Sequence, residues 1–266
     1  MKRTIFTGLV ASLIGTTPMV YAQSASDQLA EYRRMLADGN PSELYEAEGE
    51  ELWSKPAGPK NASLEKCDLG LGPGVVQGAS AQLPRYFKDT DRVQDLESRL
   101  MTCMDTLQGI PEADIVKGSF GKGVRKDLEA IVAYVVTQSK GLKINVPATH
   151  PKEKEMLALG EKIFNLQGGP MDFSCASCHA VDNKRIRMQD LPNLTTAKGA
   201  AEGWGSWPAY RVSSGTFWTM QQRLNDCYRQ QRMPFPIYGS EATIALSVFM
   251  ANTANGGTVQ TPGLKR

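Results

Sequence analysis

The chain has 266 residues, room for one or two domains. With 41% hydrophobic and 22% charged residues it is neither a disordered tail protein nor a multi-span membrane protein. Lys+Arg 30 against Asp+Glu 28 is too balanced for nucleic acid to be the main partner, and His 2 nearly excludes a site built from imidazoles.

The N-terminus reads as a targeting segment. Lys2 and Arg3 precede an apolar run from Ile5 to Ile14, and Val20-Tyr21-Ala22 has the spacing of a signal-peptidase site. The run falls short of the roughly 20 apolar residues a bilayer span needs. Export to the periplasm with cleavage after Ala22 is expected. Removing residues 1–22 takes Lys2 and Arg3 with it and leaves 28 basic against 28 acidic groups, a net charge of zero. No later apolar run is long enough to span, so the mature chain is expected to lack a membrane segment. In an oxidising compartment its disulfides would persist.

Helical spacing predicts one or two helices over 25–55, with Leu29, Tyr32 and Leu36 before Pro41 and Leu44, Tyr45, Leu52 and Trp53 after it. A Gly/Pro-rich loop follows to Gly78. Periodicity resumes over Asp89–Gly109, and Val124–Ser139 presents a broad apolar face through Leu128, Ile131, Val132, Val135 and Val136. Gly141 and Pro147 mark a linker. Further helices are predicted over Glu153–Leu166, Thr216–Arg232 and from Ser240 to Met250, with a disordered tail from Ala251. No run of alternating strands is convincing, so the class is mainly α.

The layout contains a repeat. Arg99-Leu100-Met101-Thr102-Cys103 matches Arg223-Leu224-Asn225-Asp226-Cys227 at both ends, and each is followed by a helix with a Glu-Ala pair, Glu129-Ala130 and Glu241-Ala242. Two related domains are expected.

Cys175-Ala176-Ser177-Cys178-His179 is the attachment signature of a c-type haem: two thiols for the vinyl groups, then a histidine for the iron. A redox dithiol fits the export signal and His179 less well, and a zinc site would have only Cys227 and His150 left to complete it. Pro192, thirteen residues on, can orient the His179 ring through its carbonyl or be a plain loop proline. Three residues compete for the other face of the iron: His150 in the linker, Met233 as in an electron carrier, and Cys227. Cys67 and Cys103 can pair, which leaves Cys227 as an odd thiol that needs an explanation. Arg223 lies one helical turn before it, so both share a face, and a nearby cation is expected to lower the thiol pKa. Arg223 could equally lie on a solvated helix face.

At this point the chain resembles the SoxA subunit of the thiosulfate-oxidising SoxAX cytochrome complex. The resemblance covers nearly the whole mature chain. It rests on the segment Asn61–Gly70, on Leu83-Pro84-Arg85-Tyr86-Phe87, on the Cys175–His179 motif and on Arg223-Leu224-x-x-Cys227. It implies two cytochrome-c-like domains, here residues 23–145 without haem and 146–266 with one covalently bound haem c held by Cys175, Cys178 and His179. It also implies Cys227 as distal ligand and active-site thiol carried as a persulfide, with Arg223 contacting substrate. The chain departs from diheme members, because Cys67-Asp68-Leu69-Gly70-Leu71 lacks a second Cys and a His. Similar single-haem members carry a disulfide instead, which fits Cys67 and Cys103. The implied reaction joins thiosulfate to a cysteine of the SoxYZ carrier, with a SoxX-like haem subunit as partner and a c-type cytochrome as acceptor. An electron carrier with Met233 as ligand is the alternative, and a purely structural docking subunit a third reading.

Overall fold

In the computed structural model, which describes residues 25–35, 39–186 and 189–266, two pairs of long helices cross at glycines. After α1 (Ala25–Met35), α2 (Ser42–Ser54) runs to the Gly/Pro-rich loop, and a short hairpin of β1 (Arg85–Phe87) and β2 (Arg92–Gln94) leads into α3 (Leu96–Cys103). A single π-helical turn, Met104–Gln108, then gives way to α4 (Glu112–Lys117) and α5 (Gly123–Thr137). The second half begins with α6 (Pro151–Asn165) and α7 (Cys175–His179), followed by the two-residue strands β3 (Arg185–Ile186) and β4 (Gln189–Asp190). Next come α8 (Ala197–Trp204), the hairpin of β5 (Ala209–Arg211) and β6 (Thr216–Trp218), α9 (Met220–Gln230), α10 (Glu241–Thr253) and β7 (Gly263–Lys265). Among the described residues no helix is long and apolar enough to cross a membrane. The expected export signal, residues 1–22, lies outside the described residues.

The same helix crossing occurs twice. A Cβ on Gly49 of α2 would strike the Ala130 carbonyl of α5 and the Tyr134 side chain. A Cβ on Gly160 of α6 would strike the Ala245 carbonyl of α10 and the Phe249 side chain. Glycine is required at both positions because backbone meets backbone, and the aromatic residue one turn on closes the contact. The Glu-Ala pairs noted in the sequence do not correspond: Glu129-Ala130 lies inside α5, whereas Glu241-Ala242 opens α10. The repeated element is the glycine, alanine and aromatic set.

A second arrangement also recurs. Each hairpin feeds a capped helix: Asp95 accepts the Ser98 N–H at the start of α3, and Thr219 accepts the Gln222 N–H at the start of α9. The Arg-Leu-x-x-Cys segments therefore sit at the same helical positions in α3 and α9.

The larger core gathers Trp53, Leu64, Leu100, Leu128, Ile131 and Val135 between α2, α3 and α5. Burying each such side chain contributes about 1.5–3 kcal/mol. Phe164, Leu194, Leu224, Leu246 and Met250 form the core of the second half. The Cys67–Cys103 disulfide is present within the first core, with both residues buried. Closing a loop of this separation restricts the unfolded chain by about 3–4 kcal/mol in the chain-entropy model.

Three sequence expectations are corrected. Thr216–Arg232 is not one helix: Thr216–Trp218 is a strand paired antiparallel to β5, and α9 starts only after Thr219. Asp89–Gly109 likewise begins with β2. The tail from Ala251 is ordered. It completes α10, then pairs with the linker through Gly141 N–H to the Val259 carbonyl (2.8 Å), Ile144 N–H to Gly257 (2.9 Å) and Val259 N–H to Leu142 (2.9 Å). Finally β7 joins β5 in parallel, completing a three-stranded sheet in the order β6-β5-β7. Its backbone groups are satisfied by distant partners, which is why a Gly- and Thr-rich sequence without periodicity is held in place.

Two outcomes follow for stability. Gly160→Val should lower the unfolding free energy by about 1–3 kcal/mol in urea titration, since overpacking against a carbonyl forces the helices apart. The pH dependence comes from two carboxyls. Burial, reinforced by Asp95, raises Glu97 to about 8, and burial raises Glu129 to about 7 against opposing bonds from Gly121. The folded chain thus holds protons that the unfolded chain releases above the ordinary value of 4.5. Stability should fall as pH rises from there through about 8. A thermal midpoint higher at pH about 8.5, above that window, than at pH about 5.5, near its lower end, would contradict it.

Candidate haem and thiol site

Helix α7 is fixed by a reciprocal cap. Ser174 Oγ accepts the Ser177 N–H at 3.2 Å, and Ser177 Oγ accepts the Ser174 N–H at 3.0 Å. One turn of helix is thereby held rigid, and with it Cys175, Cys178 and His179. The His179 Nδ1 lies 2.9 Å from the Pro192 carbonyl. A carbonyl only accepts, so Nδ1 carries the proton and Nε2 keeps its lone pair. The Leu194 N–H donates to the His179 carbonyl at 2.8 Å, tying the same loop to α7 a second time. Burial holds His179 below the usual imidazole range, with the Pro192 bond opposing and the Arg223 charge assisting. A neutral imidazole with a free Nε2 is the form that ligates iron.

Helix α9 faces this motif. Met220 and Leu224 bury one stripe of it, one turn apart, and Arg223 and Cys227 occupy the adjacent flank. Cys227 is unpaired, half-buried, and close enough to Cys175 and Cys178 to interact with both electrostatically. The expected direction of its pKa is corrected. Burial pushes the Cys227 thiol up, and the charges of Arg223 and Arg211 only oppose this. Desolvation of a thiolate outweighs two nearby guanidiniums that are themselves engaged.

Those engagements were not visible in the sequence. Arg223 donates to Asp226 at 3.0 Å and lies 5.5 Å above the Trp207 ring. Burial raises the Asp226 carboxyl, but hydrogen bonds from Arg229 and Gln230 and the charge of Arg223 outweigh it and hold the carboxyl below its ordinary value. Asp226 is the hub that fixes the Arg223 guanidinium, and its spacing from Arg223, Arg229 and Gln230 along α9 is the signal that could have found it. Arg211, on β5, stacks 4.7 Å over Trp218 and has a buried Nε without a partner. Nothing in the sequence near Arg211 marks it, because a hairpin brings it there.

The other candidate ligands lie elsewhere. His150 caps α6, accepting the Lys152 N–H at 3.2 Å, and stacks on Tyr86 at 3.7 Å. Met233 rests on the loop before α7: a Cβ on Gly168 would lie 3.3 Å from its methyl carbon.

The donor set fits a covalently attached haem c. Two unpaired thiols at the required spacing stand beside an imidazole whose free nitrogen is fixed by a carbonyl. Met171, Phe173 and Val181, flanking the motif in sequence, leave apolar surface exposed beside it, the kind of surface a bound porphyrin would cover.

The family model for the SoxA/TsdA cytochrome c domain matches residues 48–144, a stretch that ends before the haem motif. The SoxA subunit of L-cysteine S-thiosulfotransferase from Hydrogenophilus thermoluteolus is 57% identical over the whole of both chains. A protein of the same description from Hydrogenobacter thermophilus is 39% identical, covering 85% of this chain and 82% of its own. In fold, the chain matches the crystal structure of SoxXA from P. pantotrophus with a TM-score of 0.73 at 23% identity, covering 89% of this chain and 84% of that one. Identity of this extent over full length leaves no ambiguity of descent: the chain belongs to the SoxA family.

Proposed function

We propose that this protein is the SoxA-type subunit of an L-cysteine S-thiosulfotransferase of sulfur oxidation. It would join thiosulfate oxidatively to a cysteine of a SoxYZ carrier protein. The observation that carries the reading is the Arg223–Cys227 pair on α9, turned toward the Cys175–His179 motif. The name shared by the relatives supports it.

The balance of the reaction sets the partners. A carrier thiol and thiosulfate give a thiosulfonate-capped cysteine, one proton and two electrons. Haem c, when bound through Cys175, Cys178 and His179, supplies a one-electron acceptor, so a second centre in a SoxX-like haem subunit is required, with a c-type cytochrome as final acceptor. The chain's own residues do the rest. Arg223, held by Asp226, presents a planar cation to the sulfonate end of thiosulfate, and Arg211 adds a second positive charge. Cys227, carried as a persulfide, would bond through its outer sulfur to the sulfane sulfur of thiosulfate as two electrons leave to these acceptors. The carrier thiolate then takes the whole sulfane-sulfonate group, and the Cys227 persulfide is the leaving group. In this reading Cys227 rather than Met233 would hold the iron together with His179, since Met233 packs on the loop before α7.

We further propose that the chain comprises two cytochrome-c-like units, residues 23–145 and 146–266, after removal of an export signal at Ala22 for periplasmic residence. The repeated glycine crossing and the repeated hairpin-to-helix arrangement support the duplication. The first unit would be haem-free. Ser63-Leu64-Glu65-Lys66-Cys67-Asp68 follows an Ala57–Ala62 bridge as Ser174–His179 follows a Gly168–Phe173 bridge, so Cys67 corresponds to Cys178 and Cys103 to Cys227. The disulfide then joins the two sides of the space that the other unit gives to haem, and the chain carries one haem.

Cys227→Ala should retain covalent haem, seen by intact mass, and lose thiosulfate-dependent conjugation to the carrier. Arg223→Ala should lose about two orders of magnitude and Arg223→Lys only part of that, because an ammonium keeps the charge without the planar fork. Near wild-type turnover by Cys227→Ala, assayed with its haem partner, would return the protein to the electron carriers. Met233→Leu tests ligation separately: the low-spin spectrum should be unchanged, whereas loss of a methionine-ligand signature would identify Met233 as the ligand.

A further inference from the structure

The first turn of α9 is held from the opposite half of the chain. Glu97, buried at the second position of α3, accepts the Gln221 backbone N–H at 2.9 Å. Its other oxygen takes the Tyr238 hydroxyl. Asp95, the cap of α3, accepts the Gln221 side-chain amide at 2.6 Å, and Gly239 N–H donates to the same amide's oxygen at 3.3 Å. Arg125 of α5 lies 3.7 Å over the Tyr238 ring, so a cation faces the cluster from the third side.

Two buried carboxyls are a costly way to join halves that apolar side chains could join as well. What they add is direction. The Gln221 N–H is one of the donors a helix start leaves unpaired, and a fixed acceptor there sets both the rotation and the axial position of the helix. Helix α9 is short and continuous, so its first turn and the Arg223 and Cys227 side chains move together.

We infer that Glu97 is a positioning residue for the Cys227 thiol, fixing α9 against the haem-free half through the Gln221 N–H and Tyr238. The inference rests on Cys227 being the reactive thiol. It gives the first unit a part in the chemistry that it performs without haem.

The test uses the holoprotein with its haem partner in three variants, Glu97→Ala, Glu97→Gln and Tyr238→Phe. Each is checked for haem and disulfide by mass, then read by conjugation kinetics and by low-temperature paramagnetic resonance of the low-spin haem. Glu97→Ala should lower kcat by about tenfold or more with KM changed by less than about twofold, and should split the resonance signal into several species. Glu97→Gln, which still accepts from Gln221 N–H, should restore most of the kcat. A Glu97→Ala protein with reduced thermal stability but wild-type kcat and a single unchanged signal would overturn the inference, leaving only a structural contact. Should Glu97→Ala fail to fold, Tyr238→Phe is read by the same criteria, as it deletes one hydroxyl. Activity surviving in Cys227→Ala would overturn the reactive-thiol reading on which the inference rests, whereas a wild-type kcat and signal in Glu97→Ala overturns the inference and leaves that reading standing, so the two failures are distinguishable.

Discussion

Backbone contact at Gly160 sets the geometry on which the site depends. With no side chain between them, α6 and α10 approach until the glycine meets the Ala245 carbonyl, and Phe249 closes over Phe164 at 4.9 Å between ring centroids. From that crossing α6 delivers the chain to the loop before α7, while α10 packs on α8 and shares a core with Leu224 of α9. The haem motif and the thiol helix are thus two branches from one crossing. An inserted methyl group there would shift both, in a medium too dense to absorb the change locally.

The two Arg-Leu-x-x-Cys helices show what separates a working site from a structural one. Arg99 is buried, donates to the Asp68 carbonyl at 2.6 Å, pairs with Asp89 at 2.8 Å and stacks 4.0 Å over Phe87. Its Nε, its Nη1 and one face of its guanidinium are engaged, and Cys103 is consumed in a disulfide. Arg223 has one carboxylate, a more distant ring and a free thiol on its flank. The same residues in the same helical register therefore hold a fold in one half and leave donors for a ligand in the other.

Much of this was legible in the sequence because it is carried by local spacing. The haem motif, the Pro192 partner of His179, the odd thiol and its arginine one turn away all follow from short-range rules, and the strongly amphipathic α5 and α6 were found by period alone. What was missed depends on distant chain. Three-residue strands have too few positions to show an alternation, so periodicity extends the helices over β2 and β6 and leaves β1 and β5 unassigned. Asp226, Arg211 and Glu97 gain their roles from partners that a hairpin or a second half brings near. The direction of the Cys227 pKa escapes the sequence for a related reason: spacing announces the nearby cation but not the burial that overrides it.

The strap between residues 141–146 and 255–259 imposes an order of assembly. Its acceptors on the Val259 and Gly257 carbonyls lie more than about 100 residues beyond the linker they pair with. A chain that emerges N-terminus first can close the α2–α5 crossing while the linker is still unpaired on that side. The seam between the halves is completed only after Cys175, Cys178 and His179 have entered the compartment where the chain folds, so the haem-bearing half is fastened after the haem-free one.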